Sequence, residues 1–94
     1  MTYRLEFKHS ALKEWRSLDG SIQALFKKKL AERLENPRVE SARLGGRPDR
    51  YKIKLKQAGY RLVYEVEEER ITVVVVAVGK RERNAVYKAA AGRH

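Results

Sequence analysis

Cysteine is absent from this 94-residue chain, which excludes disulfides, thiolate metal sites and cysteine nucleophiles. Histidine is limited to His9 and His94, and no second His or carboxylate is spaced beside either of them as a metal ligand. No stretch approaches the roughly 18 apolar residues of a membrane span, and residues 1–6 lack the apolar run of a signal peptide. We therefore expect a cytoplasmic protein with no metal, no other cofactor and no membrane partner.

Positive charge is what the chain has in excess. Twenty-two Lys and Arg residues stand against 12 Asp and Glu, which gives a formal net charge of +10. Residues 43–61 hold seven basic residues and one acid, and residues 80–94 hold five basic residues and one acid. This balance favours a polyanionic partner, although charge alone does not choose between RNA, DNA, an acidic protein and a membrane surface. We expect the functional site where the two basic segments meet.

The hydrophobic pattern predicts one α+β domain over residues 1–94. Before Asn36 and Pro37, which end the second helix, apolar residues recur at helical spacing, and this pattern puts Trp15 in the core. Further along the chain, apolar residues alternate with polar ones in two segments, which predicts a β-hairpin. The predicted order is β-α-α-β-β-β-α, an antiparallel sheet with an N-terminal helical hairpin and a C-terminal helix. The predicted elements are a strand at 3–7, helices from Ser10 and from Ser21, a connector at 38–49, strands at 50–56, 60–66 and 71–78, and a helix within 80–91.

The strand at 50–56 has one dry face and one basic face, and the basic face consists of Arg50, Lys52, Lys54 and Lys56. Packing of both dry faces on the same helices requires that an odd residue of one strand pairs with an even residue of the other. Pairing Leu55 with Tyr60 meets this requirement and places Lys54 directly opposite Arg61. Two opposed cations are destabilising, so a fold keeps them where an anion sits between them or where both are well solvated.

A cationic surface of this kind can bind a phosphodiester and stabilise a pentacoordinate phosphate, and a nearby tyrosine can stack on a base. The hairpin would carry a cluster of Lys52, Lys54 and Arg61. Arg81 follows the last predicted strand closely, and Tyr87 lies six residues further on. Crowded positive charge lowers the pKa of a lysine, which makes it a usable base. A Lys-rich strand face is, however, most often a solvated face that discourages edge pairing. Composition alone therefore leaves plain polyanion binding open beside catalysis.

Several short blocks of the sequence, taken together and in order, resemble the RelE toxins of the RelE/ParE toxin–antitoxin superfamily. The resemblance covers essentially the whole chain with compatible spacing. Its blocks are ALKEW at 11–15, YKIKL at 51–55, GYRLVY at 59–64, VGKRER at 78–83 and VY at 86–87.

The resemblance implies a metal-independent, ribosome-dependent endoribonuclease that cuts messenger RNA in the ribosomal A site by attack of the RNA 2′-OH. Lys52 would be the base or its close helper, and Lys54 and Arg61 would hold the phosphate and its developing charge. Arg81 would support the leaving oxygen, and is proposed in this family as the acid, while Tyr87 would stack on the nucleotide. The flanking RNA contacts would be Arg50, Lys56, Lys80 and Arg83.

The resemblance also implies partners. These are the ribosome with its message and an acidic RelB-type antitoxin, with operator DNA reached only through the antitoxin complex. Two rival functions remain at this point: a ParE-like toxin that inhibits DNA gyrase, and a non-catalytic RNA- or ribosome-binding protein. The nuclease needs the basic triad of Lys52, Lys54 and Arg61 with Arg81 and Tyr87, whereas a gyrase inhibitor does not.

Overall fold

The computed structural model describes residues 2–45 and 48–93, so His94 lies outside the described residues. These ranges contain five strands and three α-helices. A 3₁₀ turn at Glu40–Ala42 precedes the short second strand. The elements are β1 (Arg4–Phe7), α1 (His9–Arg16), α2 (Gly20–Glu35), β2 (Arg43–Leu44), β3 (Arg50–Leu55), β4 (Tyr60–Glu67), β5 (Thr72–Lys80) and α3 (Ala85–Ala91).

The α+β class is confirmed, but the sheet differs from the antiparallel one that the sequence predicted. Its strand order is β1-β5-β4-β3-β2, and β1 runs parallel to β5 while the other neighbours are antiparallel. Parallel neighbours need a long connection, and here the chain from α1 through β4 supplies it. The connector at 38–49 also contributes a strand, β2, which pairs with β3.

The predicted register of the hairpin is confirmed. Leu55 pairs with Tyr60, and Lys54 therefore lies opposite Arg61 across β3 and β4. Gly59 in the turn has φ 72°, a left-handed conformation that glycine adopts without a Cβ penalty.

Two apolar layers enclose the sheet. The larger core lies between the sheet and helices α1 and α2, and it includes the buried side chains of Trp15, Phe26 and Tyr64. The smaller core lies under α3, where Val86 and Ala90 pack near Val63. β5 is covered on both faces, as its run of β-branched residues predicted. Within the described residues, no helix combines the length and the apolar character that crossing a membrane requires.

A β-bulge in β5 sets which side chains reach the α3 side of the sheet. Val63 pairs with Ala77 and Tyr64 with Val75, so Val76 is the extra residue on β5. The shift brings Gly79 opposite Arg61. A Cβ at Gly79 would lie 3.4 Å from Cγ2 of Val86, so glycine lets the start of α3 approach the strand closely.

Candidate active site

The basic face of β3 forms one wall of the site. Inward-facing Ile53 and Leu55 are buried in the larger core, which leaves Lys52 and Lys54 on the opposite, α3-facing side. Lys52 is half-buried and Lys54 is exposed. Arg61, directly across from Lys54, is only 7% exposed. The fold therefore holds two cations opposite each other, one of them largely out of water.

Crowding of positive charge changes the chemistry of Lys54. The charge of Lys52 is the largest cause that lowers the pKa of the Lys54 ammonium, and partial loss of hydration and the charge of Arg61 follow. A lowered pKa increases the fraction of neutral amine at a given pH, which is the form that accepts a proton. The surroundings of Lys54 therefore favour the neutral amine that a general base requires.

Arg81 is brought to the hairpin by the backbone. The Arg81 N–H donates to the carbonyl oxygen of Gly59 at 2.7 Å, which ties the end of β5 to the β3–β4 turn. An open cavity of about 120 Å³ lies at this junction. Its lining includes Lys54, Arg61, Lys80, Arg81 and Tyr87.

Tyr87 reaches the cavity from α3. The sequence predicted a helix-compatible segment from Lys80, but Lys80 ends β5 and the helix starts only at Ala85. Arg83 and Asn84 have φ 44° and 60°, and this left-handed pair redirects the chain between the strand and the helix. The buried Tyr87 Oη has no hydrogen-bond partner among the residues that the structure describes. The ring also lines a second cavity of about 350 Å³, beside Arg50 and Ala90.

The structure therefore brings together four of the five residues that were predicted to be catalytic, namely Lys54, Arg61, Arg81 and Tyr87, around one cavity. Lys52 is not part of the cavity wall. It lies two residues from Lys54 on the same face of β3, close enough for its charge to dominate the surroundings of Lys54. This placement fits a helper of the base better than direct contact in the cavity.

The four predicted RNA contacts are placed differently from one another. Lys80 is exposed and lines the cavity. Lys56 is exposed directly after β3, in a groove with Leu25 and Lys54, and Arg83 is exposed outside the cavity wall. All three can meet RNA as flanking charges.

The sequence placed Arg50 among the exposed cations of the basic face, and its burial corrects that interpretation. It is 7% exposed, and its Nε pairs with the Glu65 carboxylate at 3.0 Å. Its two other nitrogens donate to the carbonyl oxygens of Ala90 and Arg93 at the end of α3. Alternation along β3 assigned Arg50 to the basic face correctly, but α3 covers that end of the face. Arg50 is therefore held by structural contacts and is not exposed, and its contact with RNA stays a prediction.

Sequence reasoning missed several residues at or near the cavity. Glu82 and Asn84 line it, and Glu14 and Arg93 fix the end of α3 from outside it. Glu82 lies inside a recognised block, so its position was available as a signal. The Glu14–Arg93 pair joins residues 79 positions apart, and no pattern in the sequence predicts such a contact.

Five cations at the site lack an ionic partner among the described residues. Within residues 2–45 and 48–93, no carboxylate forms an ion pair with Lys52, Lys54, Arg61, Lys80 or Arg81. In the same ranges no three His, Asp or Glu side chains gather as metal ligands. The uncompensated charge is what an incoming phosphodiester would meet.

Comparison with known proteins gives a consistent assignment. Residues 5–85 match the family model of the ParE toxin of the type II toxin–antitoxin system parDE. The chain is 54% identical to the mRNA interferase toxin RelE of Escherichia coli strain K12, over 99% of this chain and 98% of that protein.

Solved structures agree with this. A free E. coli RelE variant with two arginines replaced by alanine superimposes with a TM-score of 0.90 at 51% identity, covering 98% of this chain and 97% of that one. RelE in the intact E. coli RelBE toxin–antitoxin complex gives a TM-score of 0.82 at 54% identity, covering 86% and 99%. The chain therefore belongs to the RelE toxins of the RelE/ParE toxin–antitoxin superfamily.

Proposed function

We propose that this protein is the toxin of a type II toxin–antitoxin system and cleaves messenger RNA in the ribosomal A site without a metal ion. The observation that carries the proposal is the convergence of Lys54, Arg61, Arg81 and Tyr87 on one cavity. The E. coli relative, with 54% identity, is named an mRNA interferase. The reaction that these residues fit is attack by the RNA 2′-OH on the adjacent phosphate. It breaks the bond from phosphorus to the 5′ oxygen of the next nucleotide, and it leaves a 2′,3′-cyclic phosphate on one fragment and a 5′-OH on the other.

Each side chain has a role that its surroundings support. Lys54, with its lowered pKa, takes the proton of the 2′-OH, and Lys52 assists by its charge. Arg61 is largely buried and faces the cavity, so its charge acts on the phosphate with little screening by water. Arg81 stabilises the leaving oxygen, and Tyr87 stacks on a base.

The dependence on the ribosome follows from what the site lacks. Guanidinium is a weak proton donor, and the described part of the site offers no imidazole to share proton transfer. Positioning of the reacting groups can supply much of a rate enhancement when acid–base catalysis is weak. The ribosome would bend the message so that the 2′-OH is in line with the scissile phosphate.

The regulatory partner is an acidic RelB-type antitoxin. The relative in the E. coli RelBE complex is seen bound to its antitoxin, and a surface with net charge +10 attracts an acidic chain. Contact with operator DNA would be made by the antitoxin of the complex. The site of action, on translating ribosomes, is the cytoplasm.

The proposal is tested by mapping message ends on ribosomes with an occupied P site and an empty A site. The wild-type protein should cut within the A-site codon and barely cut the same RNA when it is free. Lys54→Met should lose cleavage, whereas Lys13→Met removes an exposed lysine from α1, on the other face of the sheet, and should cut normally. Uncut message on such ribosomes defeats the nuclease assignment.

The gyrase alternative is kept because the matching family model describes a ParE toxin. It predicts inhibition of supercoiling by purified gyrase and no effect on programmed ribosomes. Substitution of Lys54 and Arg81 would then leave the toxicity intact, since a gyrase inhibitor has no use for the phosphate-facing cations. Ribosome binding with intact message would instead identify a non-catalytic binding protein.

A further inference from the structure

Helix α3 carries Tyr87, yet it is too short to be stable by itself. It spans seven residues, Ala85–Ala91, and isolated helices of this length are marginal in water. Its buried side chains are Val86 and the small Ala90. The position of Tyr87 over the basic face must therefore depend on contacts that fix the helix at its far end.

Two arginines provide those contacts. Arg50, held by Glu65, donates to the carbonyl oxygens of Ala90 and Arg93 and so caps the C-terminal end of α3. Arg93 then reaches across the edge of the sheet, and its guanidinium contacts both carboxylate oxygens of Glu14 at 2.7 and 3.1 Å. We name Glu14, Arg50, Glu65 and Arg93 the C-terminal latch.

The bulge in β5 supplies the anchor for the latch. β1 pairs with β5 only as far as Val75, so the backbone beyond that point lacks a strand neighbour on this side. The Val76 carbonyl accepts from Arg93 at 2.9 Å, and the Val78 N–H donates to Glu14 at 3.2 Å. The same two side chains that bind each other thus also satisfy the free edge of β5.

We propose that Arg93 and Glu14 are positioning residues for cleavage, and that they act by holding α3 so that Tyr87 faces the cationic cavity. This inference rests on the proposed function. Ala90, whose carbonyl the latch fixes, lies three residues after Tyr87, on the same side of the helix one turn away. Rotation or fraying of that turn would move the Tyr87 ring away from Lys54 and Arg61.

If Arg93 and Glu14 only stabilised the fold, their replacement would mainly lower the free energy of unfolding. The Arg93 and Glu14 side chains are 24% and 34% exposed, so their ion pair contributes modestly to global stability. Its effect is local, because Arg93 holds the turn that directly follows α3. The latch therefore affects the placement of Tyr87 more than the unfolding of the domain.

The test is a double-mutant cycle between Arg93 and Tyr87, read as the single-turnover rate of cleavage on programmed ribosomes. With Tyr87 present, Arg93→Gln and Glu14→Gln should each reduce the rate roughly tenfold, with an unchanged KM for ribosomes. In the Tyr87→Ala background, either substitution should have almost no further effect. Arg93→Lys, which keeps the charge, should recover part of the loss.

Arg70→Gln is the matched control. Arg70 also bridges elements through carboxylates, those of Glu6 and Glu67, but on a different part of the protein. It should leave the rate unchanged. Amide hydrogen exchange should show faster exchange across residues 86–91 in Arg93→Gln, with the sheet amides unaffected.

The outcomes separate the two proposals. A wild-type protein that leaves message uncut defeats the proposed function itself. A wild-type protein that cuts, together with an Arg93→Gln variant that cuts equally fast, overturns the latch alone. An Arg93→Gln loss of the same size with and without Tyr87 also overturns it, because the effect would then bypass the ring.

Discussion

Replacing Arg50 by methionine separates a structural arginine from an RNA contact. The Arg50 and Glu65 side chains are 8% and 15% exposed, and their atoms lie 3.0 Å apart. Removing one partner of a buried pair leaves the other charge uncompensated, which costs about 3–5 kcal/mol. A domain of this size is stabilised by about 5–15 kcal/mol, so Arg50→Met should fold with much reduced stability.

Urea unfolding followed by fluorescence of Trp15 measures this change. Trp15 is the only tryptophan, and it lies in the larger core. With an m-value of about 2 kcal/mol/M, the midpoint should fall by about 2 M. The double variant Arg50→Met/Glu65→Leu removes both charges and should recover most of the loss, because no buried charge is then left unpaired.

The reasoning fails if Arg50→Met costs less than about 1 kcal/mol, the value expected for an exposed ion pair. Arg50 also belongs to the latch, so a loss of cleavage is informative only in the Tyr87→Ala background, where there is no ring left to position. A variant with normal stability that still reduces cleavage strongly in that background would show that Arg50 contacts RNA, as the alternation along β3 predicted.

Two further predictions concern the site. Lys56→Gln removes a positive charge that lowers the pKa of Lys54. The pKa should rise, and the increase of the cleavage rate with pH should move to more alkaline values; a profile identical to that of the wild type contradicts Lys54 as the base. Tyr87→Phe removes a buried hydroxyl that has no partner among the described residues, so stability should be unchanged or higher by about 1 kcal/mol. Cleavage should be retained in Tyr87→Phe and lost in Tyr87→Ala, and an equal loss in both would assign chemistry to the hydroxyl.

Local patterns were enough to predict the hairpin and its opposed cations. Both strands turn their dry faces to α1 and α2, and this condition together with the position of the turn between Leu55 and Tyr60 places Lys54 opposite Arg61. The burial of Trp15 and the two-sided burial of β5 followed in the same way from periodicity. By contrast, alternation carries no information on strand direction, which is why the parallel pairing of β1 with β5 was missed.

The role of Arg50 was beyond the reach of such patterns. A strand pattern assigns a residue to a face, but it does not tell which part of that face a distant helix covers. The contact of Arg50 with Ala90 joins residues 40 positions apart, and the start of α3 depends on the left-handed Arg83 and Asn84. The predicted placement therefore agrees with the structure at the open end of the basic face and departs from it at the covered end, while the roles of these residues in cleavage stay predictions.

The separation of paired from unpaired arginines gives the site its electrostatic character. Arg38, Arg50, Arg70 and Arg93 each contact a carboxylate, and their partners lie outside the cavity wall. Glu67 at the end of β4 and Glu68 in the turn after it take part in these pairs, at the opposite end of that strand from Arg61. Carboxylates thus neutralise these four arginines. The cavity retains Lys54 opposite Arg61, and the repulsion between these two charges is destabilising as long as no anion lies between them. In the proposed function, a phosphodiester between Lys54 and Arg61 would remove that repulsion, and the stabilisation would grow as negative charge develops on the phosphate in the transition state.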